Sequence, residues 1–419
     1  VSGQPGENPA SADDGRSLWQ RDFRRWLGSR TISSAGTEAL TVVIPVLVYQ
    51  QTGSAALTGA TSALMSLPYL LFGLFAGALA DRLSRRRLMV AADLTAAAVV
   101  ASVPVVYLTG SVGAAHILVV AFVAWTAFVW FDAAAWGALI SVVGRDQLVR
   151  ANSVIWSFGI TAGIAMPAVA GVVGSATHPS MMLAVSSVTY AVSAILILRI
   201  RTNLNPRIEG ATQPRTSLLR TIRAGLEFIW RTVEIRLVAL ASVGLTLSSG
   251  AVIGILVVHL DRNLGIAADD WRVGLFFAAG AIGALSATIL LPWSTRLIGS
   301  GRLSAVAFTL YIPALVAVLA TEHWLPALGC WAIWYCTNTL AVINGVTLRQ
   351  QLTPDELQGR VNTSARMIAL GGTPVGAVLG GVLAESVGVR ETQLLAIIPI
   401  ALAALVLWFS PVRRFGLPS

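Results

Sequence analysis

The stretch Gly73-Leu-Phe-Ala-Gly77-Ala-Leu-Ala-Asp81-Arg82-Leu-Ser84-Arg85-Arg86-Arg87 decides the fold. An apolar run with glycines four residues apart ends abruptly in charge. Small residues at that spacing let two helices approach closely inside a membrane. Asp81 then falls at the C-terminal end of a helix, where a carboxylate is unfavourable unless a cation offsets it. The neighbouring arginines supply that cation, so the ion pairs of Asp81 can differ between two conformations.

Apolar runs of this kind fill the chain. Of its 419 residues 55% are hydrophobic and only 12% charged, against about a quarter charged in a soluble domain. That leaves little room for a soluble domain. A transmembrane helix needs about 20 mostly apolar residues. Spans are predicted near 26–49, 57–80, 88–109, 115–143, 151–174 and 180–199, then near 236–259, 273–293, 303–321, 325–348, 361–384 and 392–411. The polar residues 1–17 read as a disordered tail, with no cleavable signal peptide ahead of the first apolar run.

All 29 basic residues are arginine, and the formal net charge is +9. Arginines cluster before the first span, after every second span, and at Arg413 and Arg414. The intervening loops hold only Arg262, Arg272 and Arg390. By the positive-inside rule both termini are expected in the cytoplasm, with an even number of spans. Because the arginines flank apolar spans, the expected partner of the positive charge is an anionic membrane surface rather than nucleic acid. Cys330 and Cys336 share one apolar segment and read as packed thiols. His116, His178, His259 and His323 fall at the outer ends of spans and read as interfacial histidines rather than a pH sensor.

The chain divides into a tail (1–17), a six-helix bundle (18–200), a linker (201–235), a second six-helix bundle (236–414) and a short tail (415–419). In the linker, Leu218, Leu219, Ile222, Leu226, Ile229 and Val233 form one apolar stripe, which predicts an amphipathic helix on the cytoplasmic leaflet. The halves carry a repeated loop. Asp146-Gln-Leu148-Val-Arg150-Ala-Asn152 follows the fourth span, and Asp355-Glu-Leu357-Gln-Gly-Arg360-Val-Asn362 follows the tenth. The next span in each half is rich in glycine with an internal proline. Repeated six-helix halves are a signature of secondary transporters.

The opening stretch resembles the loop 2–3 signature of the major facilitator superfamily, G-x-x-x-D-R-x-G-R-R. Gly77, Asp81, Arg82, Arg85 and Arg86 match, and Ser84 replaces the usual glycine. The segments Arg21-Asp-Phe-Arg-Arg-Trp-Leu-Gly28, Tyr49-Gln-Gln-Thr-Gly53-Ser54, Leu148-Val-Arg-Ala-Asn152-Ser153 and 353–362 resemble the drug:proton antiporter branch that holds macrolide and enterobactin exporters. Where such antiporters often carry G-P-x-x-G-G in span 5, this chain has Met166-Pro167-Ala-Val-Ala170-Gly171. The resemblance covers nearly the whole chain. It implies an all-α membrane protein of twelve helices in two pseudo-symmetric six-helix bundles, with alternating access to a central cavity. It also implies that spans 1, 4, 7 and 10 line that cavity, and that Asp81 and its arginines latch the cytoplasmic side in one state.

Two acids lie near mid-span, Glu38 in span 1 and Asp132 in span 4. An acid there costs about 2.5–3.5 kcal/mol even on the lenient insertion scale, so both are candidates for proton coupling or substrate binding. The branch often has its span 1 carboxylate one residue earlier, at the position of Thr37, and a one-residue shift turns a side chain by about 100°. Asp93, near the cytoplasmic end of span 3, is expected to pair with a nearby arginine; Arg30, early in span 1, is either that counterpart or a snorkelling residue. Trp125, Phe128 and Trp136 on span 4, and Trp331, Tyr335, Asn338 and Asn344 on span 10, are candidates for an aromatic cavity wall suited to a bulky, partly apolar cation.

The chain has no P-loop, no H-E-x-x-H, no metal-spaced Cys/His cluster and no evident catalytic triad, so no enzyme activity, cofactor or metal is expected. The leading expectation is a monomeric, proton-coupled exporter of a lipophilic small molecule in the bacterial inner membrane. An uptake permease of the same fold is the alternative. A non-transporting receptor or an intramembrane enzyme stands behind both. If Asp81 is a latch, Asp81→Asn impairs transport about tenfold or more while membrane insertion stays intact; wild-type turnover in that variant removes the latch.

Overall fold

The computed structural model describes residues 18–80, 83–110, 112–144, 147–205, 226–354 and 358–415, without the side chains of 74, 78, 149, 358–360, 362, 363 and 366. The expected N-terminal tail, most of the linker stripe, Asp81, Arg82, Asp146 and Asp355 lie outside the described residues, as do the side chains of Arg360 and Asn362.

Among the described residues the chain forms twelve helical segments arranged as membrane spans, six in each half. The first half holds α1 (Arg21–Thr52), α2 (Ala55–Ala80), α3 (Arg85–Thr109), α4 (Ala114–Val143), α5 (Leu148–Ala176) and α6 (Pro179–Leu198). The second holds α7 (Val233–Gly254, continued by Leu256–Leu264), α8 (Trp271–Ile298), α9 (Ser300–Ala320), α10 (Trp324–Leu352), α11 (Gln358–Ser386) and α12 (Val389–Leu395, continued by Ile397–Phe409). Eleven crossings are apolar enough by composition alone. The twelfth, α10, is diluted by Trp331, Trp334, Tyr335, Asn338 and Asn344, most of which it buries against other helices. No strand occurs among the described residues. Helix starts lie ahead of the predicted spans throughout, whereas helix ends fall on either side, past the prediction at α1, α7, α8 and α10 and just short of it at α6, α9 and α12.

The large aromatics Trp26, Phe23, Trp331, Trp334 and Tyr311 are fully buried, whereas Leu108, Ile289, Trp293 and Phe409 are well exposed. Exposed apolar surface on this scale suits a protein whose solvent is lipid.

Local chemistry sets the helix ends. Gly53 closes α1 and Gly265 closes α7, each in the left-handed region at φ 60° and 61°, where a side chain would be strained. Ser84 accepts from the Arg87 N–H and caps α3 at an ordinary φ of −67°, so the glycine usual at this position is not needed here. Asp270 caps α8 and binds Arg272 at 2.6 Å; that guanidinium holds its carboxyl below the usual range. His178 caps α6 and His323 caps α10. Burial pulls the His178 imidazole down, which suits its role as an acceptor.

The halves meet at the arginine-poor face. The α2–α11 and α5–α8 pairs cross there through glycines. A Cβ on Gly381 would sit 2.7 Å from the Ala55 carbonyl oxygen, and one on Gly171 2.7 Å from that of Trp271. Gly171 and Gly381 lie equally far beyond Asn152 and Asn362, so the two seals are related by the internal repeat. Polar contacts reinforce them. Tyr49 donates to Asp261 Oδ2 at 2.7 Å, and Arg262 donates to the Gly53 carbonyl at 2.9 Å. Glu385 of α11 accepts the Ala55 N–H at 2.7 Å and so caps α2 of the other half. A cap of this kind contributes roughly 0.5–2 kcal/mol. The cavity is therefore shut toward this face.

Because any side chain at Gly381 forces α2 and α11 apart, Gly381→Ala is expected to open the arginine-poor face. In a Cys330→Ser/Cys336→Ser background, a Thr41→Cys probe in the cavity should then react several-fold faster with an impermeant maleimide added from that face. Unchanged labelling contradicts the seal.

Candidate functional site

Between the halves lies a cavity of about 460 Å³. Helices α1, α2, α4 and α5 wall it from one side, and α7, α8, α10 and α11 from the other. The resemblance implied spans 1, 4, 7 and 10, and all four take part. The α7 break at Ile255 brings Leu256 and Val257 to the wall, and Gly163 and Pro167 supply the α5 contribution.

Glu38 is the only charged side chain among the lining residues. Its neighbour Thr41 spends its hydroxyl on the Glu38 carbonyl at 2.6 Å rather than on the carboxyl. Ser62, Ser66, Ser249 and Thr373 add polar groups to a wall that is otherwise apolar. Among the predicted aromatics, Trp125, Trp331 and Tyr335 line the cavity. Trp331 meets Tyr335 edge-on at 6.1 Å and Trp334 at 4.7 Å. Gly280 of α8 permits this stack, since a Cβ there would meet the Tyr335 ring at 2.9 Å.

The other candidates lie elsewhere. Asp132 binds Arg30 of α1 at 2.8 Å and accepts from Tyr69 of α2 at 3.1 Å. The Arg30 guanidinium also lies 4.4 Å from the Trp136 ring centroid. Asp132 and Trp136 thus form a three-helix clamp instead of a cavity wall. Of the two readings of Arg30, neither the pairing with Asp93 nor snorkelling describes it here: its guanidinium is held by Asp132. Phe128 packs edge-on against Tyr69 at 6.3 Å. Asn344 is fully buried and donates to the Ser300 carbonyl and to Ser304 Oγ, tying α10 to α9. Asn338 is buried outside the lining.

At the arginine-rich face, Gly77 has open space around it. Arg85 donates to the Gly137 carbonyl at 2.7 Å and the Leu204 carbonyl at 3.2 Å. Arg86 donates to the Thr202 carbonyl at 2.9 Å. Both bind the chain leaving α6 to the start of α3. Arg150 is exposed, and Asn152 Oδ1 is buried. The gate pairs Tyr49–Asp261 and Glu385–Ala55 join positions far apart in the chain and have no local pattern in the sequence.

A twelve-helix, two-bundle membrane protein with a cavity at the bundle interface is a transporter of the alternating-access class. Similarity to known proteins agrees. The family model described as transmembrane secretion effector matches residues 17–417, and the chain belongs to that family of the major facilitator superfamily. It is 28% identical to the multidrug efflux pump Tap of Mycolicibacterium fortuitum over 92% of this chain and 95% of that protein. It is 23% identical to macrolide efflux protein A of Streptococcus pyogenes over 90% and 93%. Among solved structures, a bacterial homologue of the iron transporter ferroportin in its inward-facing state superposes with a TM-score of 0.72 at 16% identity, covering 94% of this chain and 99% of that one. The outward-facing state of a bacterial ferroportin homologue gives 0.60, covering 93% and 98%.

Removing the Asp132 charge leaves Arg30 without its counter-ion, a loss of about 3–5 kcal/mol for a buried pair and nearer the low end here, where both groups are partly exposed. Asp132→Asn should therefore lower the melting temperature in detergent, and Arg30→Gln should restore part of it in the double variant. An Asp132→Asn protein of unchanged stability but altered pH dependence of transport returns this acid to the coupling site.

Proposed function

We propose that the protein exports lipophilic, preferably cationic, small molecules from a bacterial cell in exchange for protons. The carrying observation is Glu38, the one charged group in a largely apolar cavity walled by Trp125, Trp331 and Tyr335. An ionised carboxylate in such surroundings is costly until a counter-charge arrives. A proton neutralises it, and so does a substrate cation stacked on the aromatic wall. Each displaces the other, which is the basis of exchange. A cavity of this size fits a drug-sized molecule.

The arginine-rich face is assigned to the cytoplasm of the inner membrane, where anionic lipids hold its charges. The closed arginine-poor face then makes this the inward-facing state, ready to load from the cytoplasm. Similarity to proteins named multidrug and macrolide efflux pumps supports export over uptake. A single chain carries the whole cavity, so a monomer suffices.

Everted vesicles holding the protein, with an inside-acid pH gradient imposed, provide the test. Ethidium, and in parallel erythromycin, should dissipate the gradient in wild type and accumulate inside. Glu38→Gln should lower the ethidium response at least tenfold. Accumulation without proton movement contradicts exchange. An equal response in Glu38→Gln places the coupling acid elsewhere.

A further inference from the structure

A second acid is buried inside the first bundle, away from the cavity. Asp93 of α3 is 2% exposed. Ser33 of α1 donates its hydroxyl to Oδ1 at 2.9 Å. Oδ2 has no hydrogen-bond partner among the described residues. Arg30, the cation nearest in sequence on α1, is held by Asp132. The groups on packed elements are uncharged hydroxyls. α1 offers Ser29, paired with Ser193 of α6 at 2.7 Å. α6 also offers Tyr190, whose phenol bonds Thr37 at 2.9 Å. On α4 the titratable residues are His116, bonded to Ser102, and Asp132, bonded to Arg30. On α3 itself, Arg85 binds the Gly137 carbonyl of α4 and the Leu204 carbonyl beyond α6, and Arg86 binds the Thr202 carbonyl.

An ionised Asp93 would leave a buried charge facing only the hydroxyls of Ser33 and Ser193, with no cation beside it among the described residues, whereas a neutral carboxyl needs none. Ser33 and Thr37 stand one turn apart on α1 and face the bundle interior, and the next residue, Glu38, faces the cavity. One helix thus touches both acids. A movement of α1 that changes access to Glu38 also changes the Ser33–Asp93 contact.

We propose that Asp93 is a second proton-binding site of the transport cycle. It holds a proton on Oδ2 in this conformation, and releases it to water when α1 moves and wets the carboxyl. It takes one up again on return, with no other bond changed. This rests on the proton exchange proposed above and adds a second proton per turnover.

The full chain in liposomes is the material for the test, which has two readouts. Infrared spectra at neutral pH should contain the C=O stretch of a protonated carboxyl that Asp93→Asn removes and Glu38→Gln leaves. The protons exchanged per ethidium should fall by about half in Asp93→Asn and recover in Asp93→Glu. A wild-type band untouched by Asp93→Asn overturns the proposal, as does loss of the band with an unchanged proton ratio. Should Asp93→Asn fail to accumulate, Asp93→Glu must shift the frequency of that band, and an unshifted band overturns the proposal. Ethidium transport without protons in wild type overturns the exchange itself and this proposal with it, whatever the band shows.

Discussion

Charge inside a membrane needs a partner, and the ways this chain meets that demand organise the rest of the molecule. Beyond Asp22 in the first turn of α1, three acids sit within the first four helices, and each is treated differently. Asp132 has an arginine, a tyrosine hydroxyl and a nearby indole ring that stabilises the arginine. It is fully answered, and it fastens α1, α2 and α4 together. Asp93 is buried and faces only the hydroxyls of Ser33 and Ser193. Glu38 has only the cavity. Since an unanswered carboxylate is costly at membrane depth, Glu38 is the group on which a mobile cation or proton has most effect.

The second constraint is how closely the backbones can approach. The two bundles touch where glycines remove the side chain between α2 and α11 and between α5 and α8. Glycines at these crossings come from equivalent positions of the internal repeat. The polar contacts around them, Tyr49 to Asp261 and Glu385 to the α2 terminus, are few and lie at one face. A seal made of close contact and a handful of hydrogen bonds is strong enough to hold one state and weak enough to be exchanged for another, since shifting a two-state equilibrium completely takes about 5.5 kcal/mol.

Much of the fold could be read from residues 73–87 and from the repeated D-x-L-x-R-x-N loops, because a hydrophobic span and its arginine flank are local patterns. The place of Glu38 was legible for the same reason: an acid in an apolar run stands out. Its neighbours were not. Whether Asp132 or Asp93 takes Arg30 depends on the rotation of α1 against α3 and α4, and a helix turns about 100° per residue. Asn344 reads like a cavity residue by composition and proves to be a tie between α10 and α9, since a buried amide satisfies a carbonyl as readily as it binds a ligand. The gate pairs join residues hundreds of positions apart, beyond the reach of any sequence period.

In the exchange proposed here a proton and a cationic substrate compete for one carboxylate, Glu38. Ethidium binding to the purified protein, measured by fluorescence across a pH series, tests this directly. Affinity is expected to fall progressively as the solution is acidified, because protons occupy Glu38, and Glu38→Gln is expected to bind weakly with no pH dependence. Wild-type affinity that is flat with pH, or a Glu38→Gln protein that keeps the wild-type slope, contradicts it.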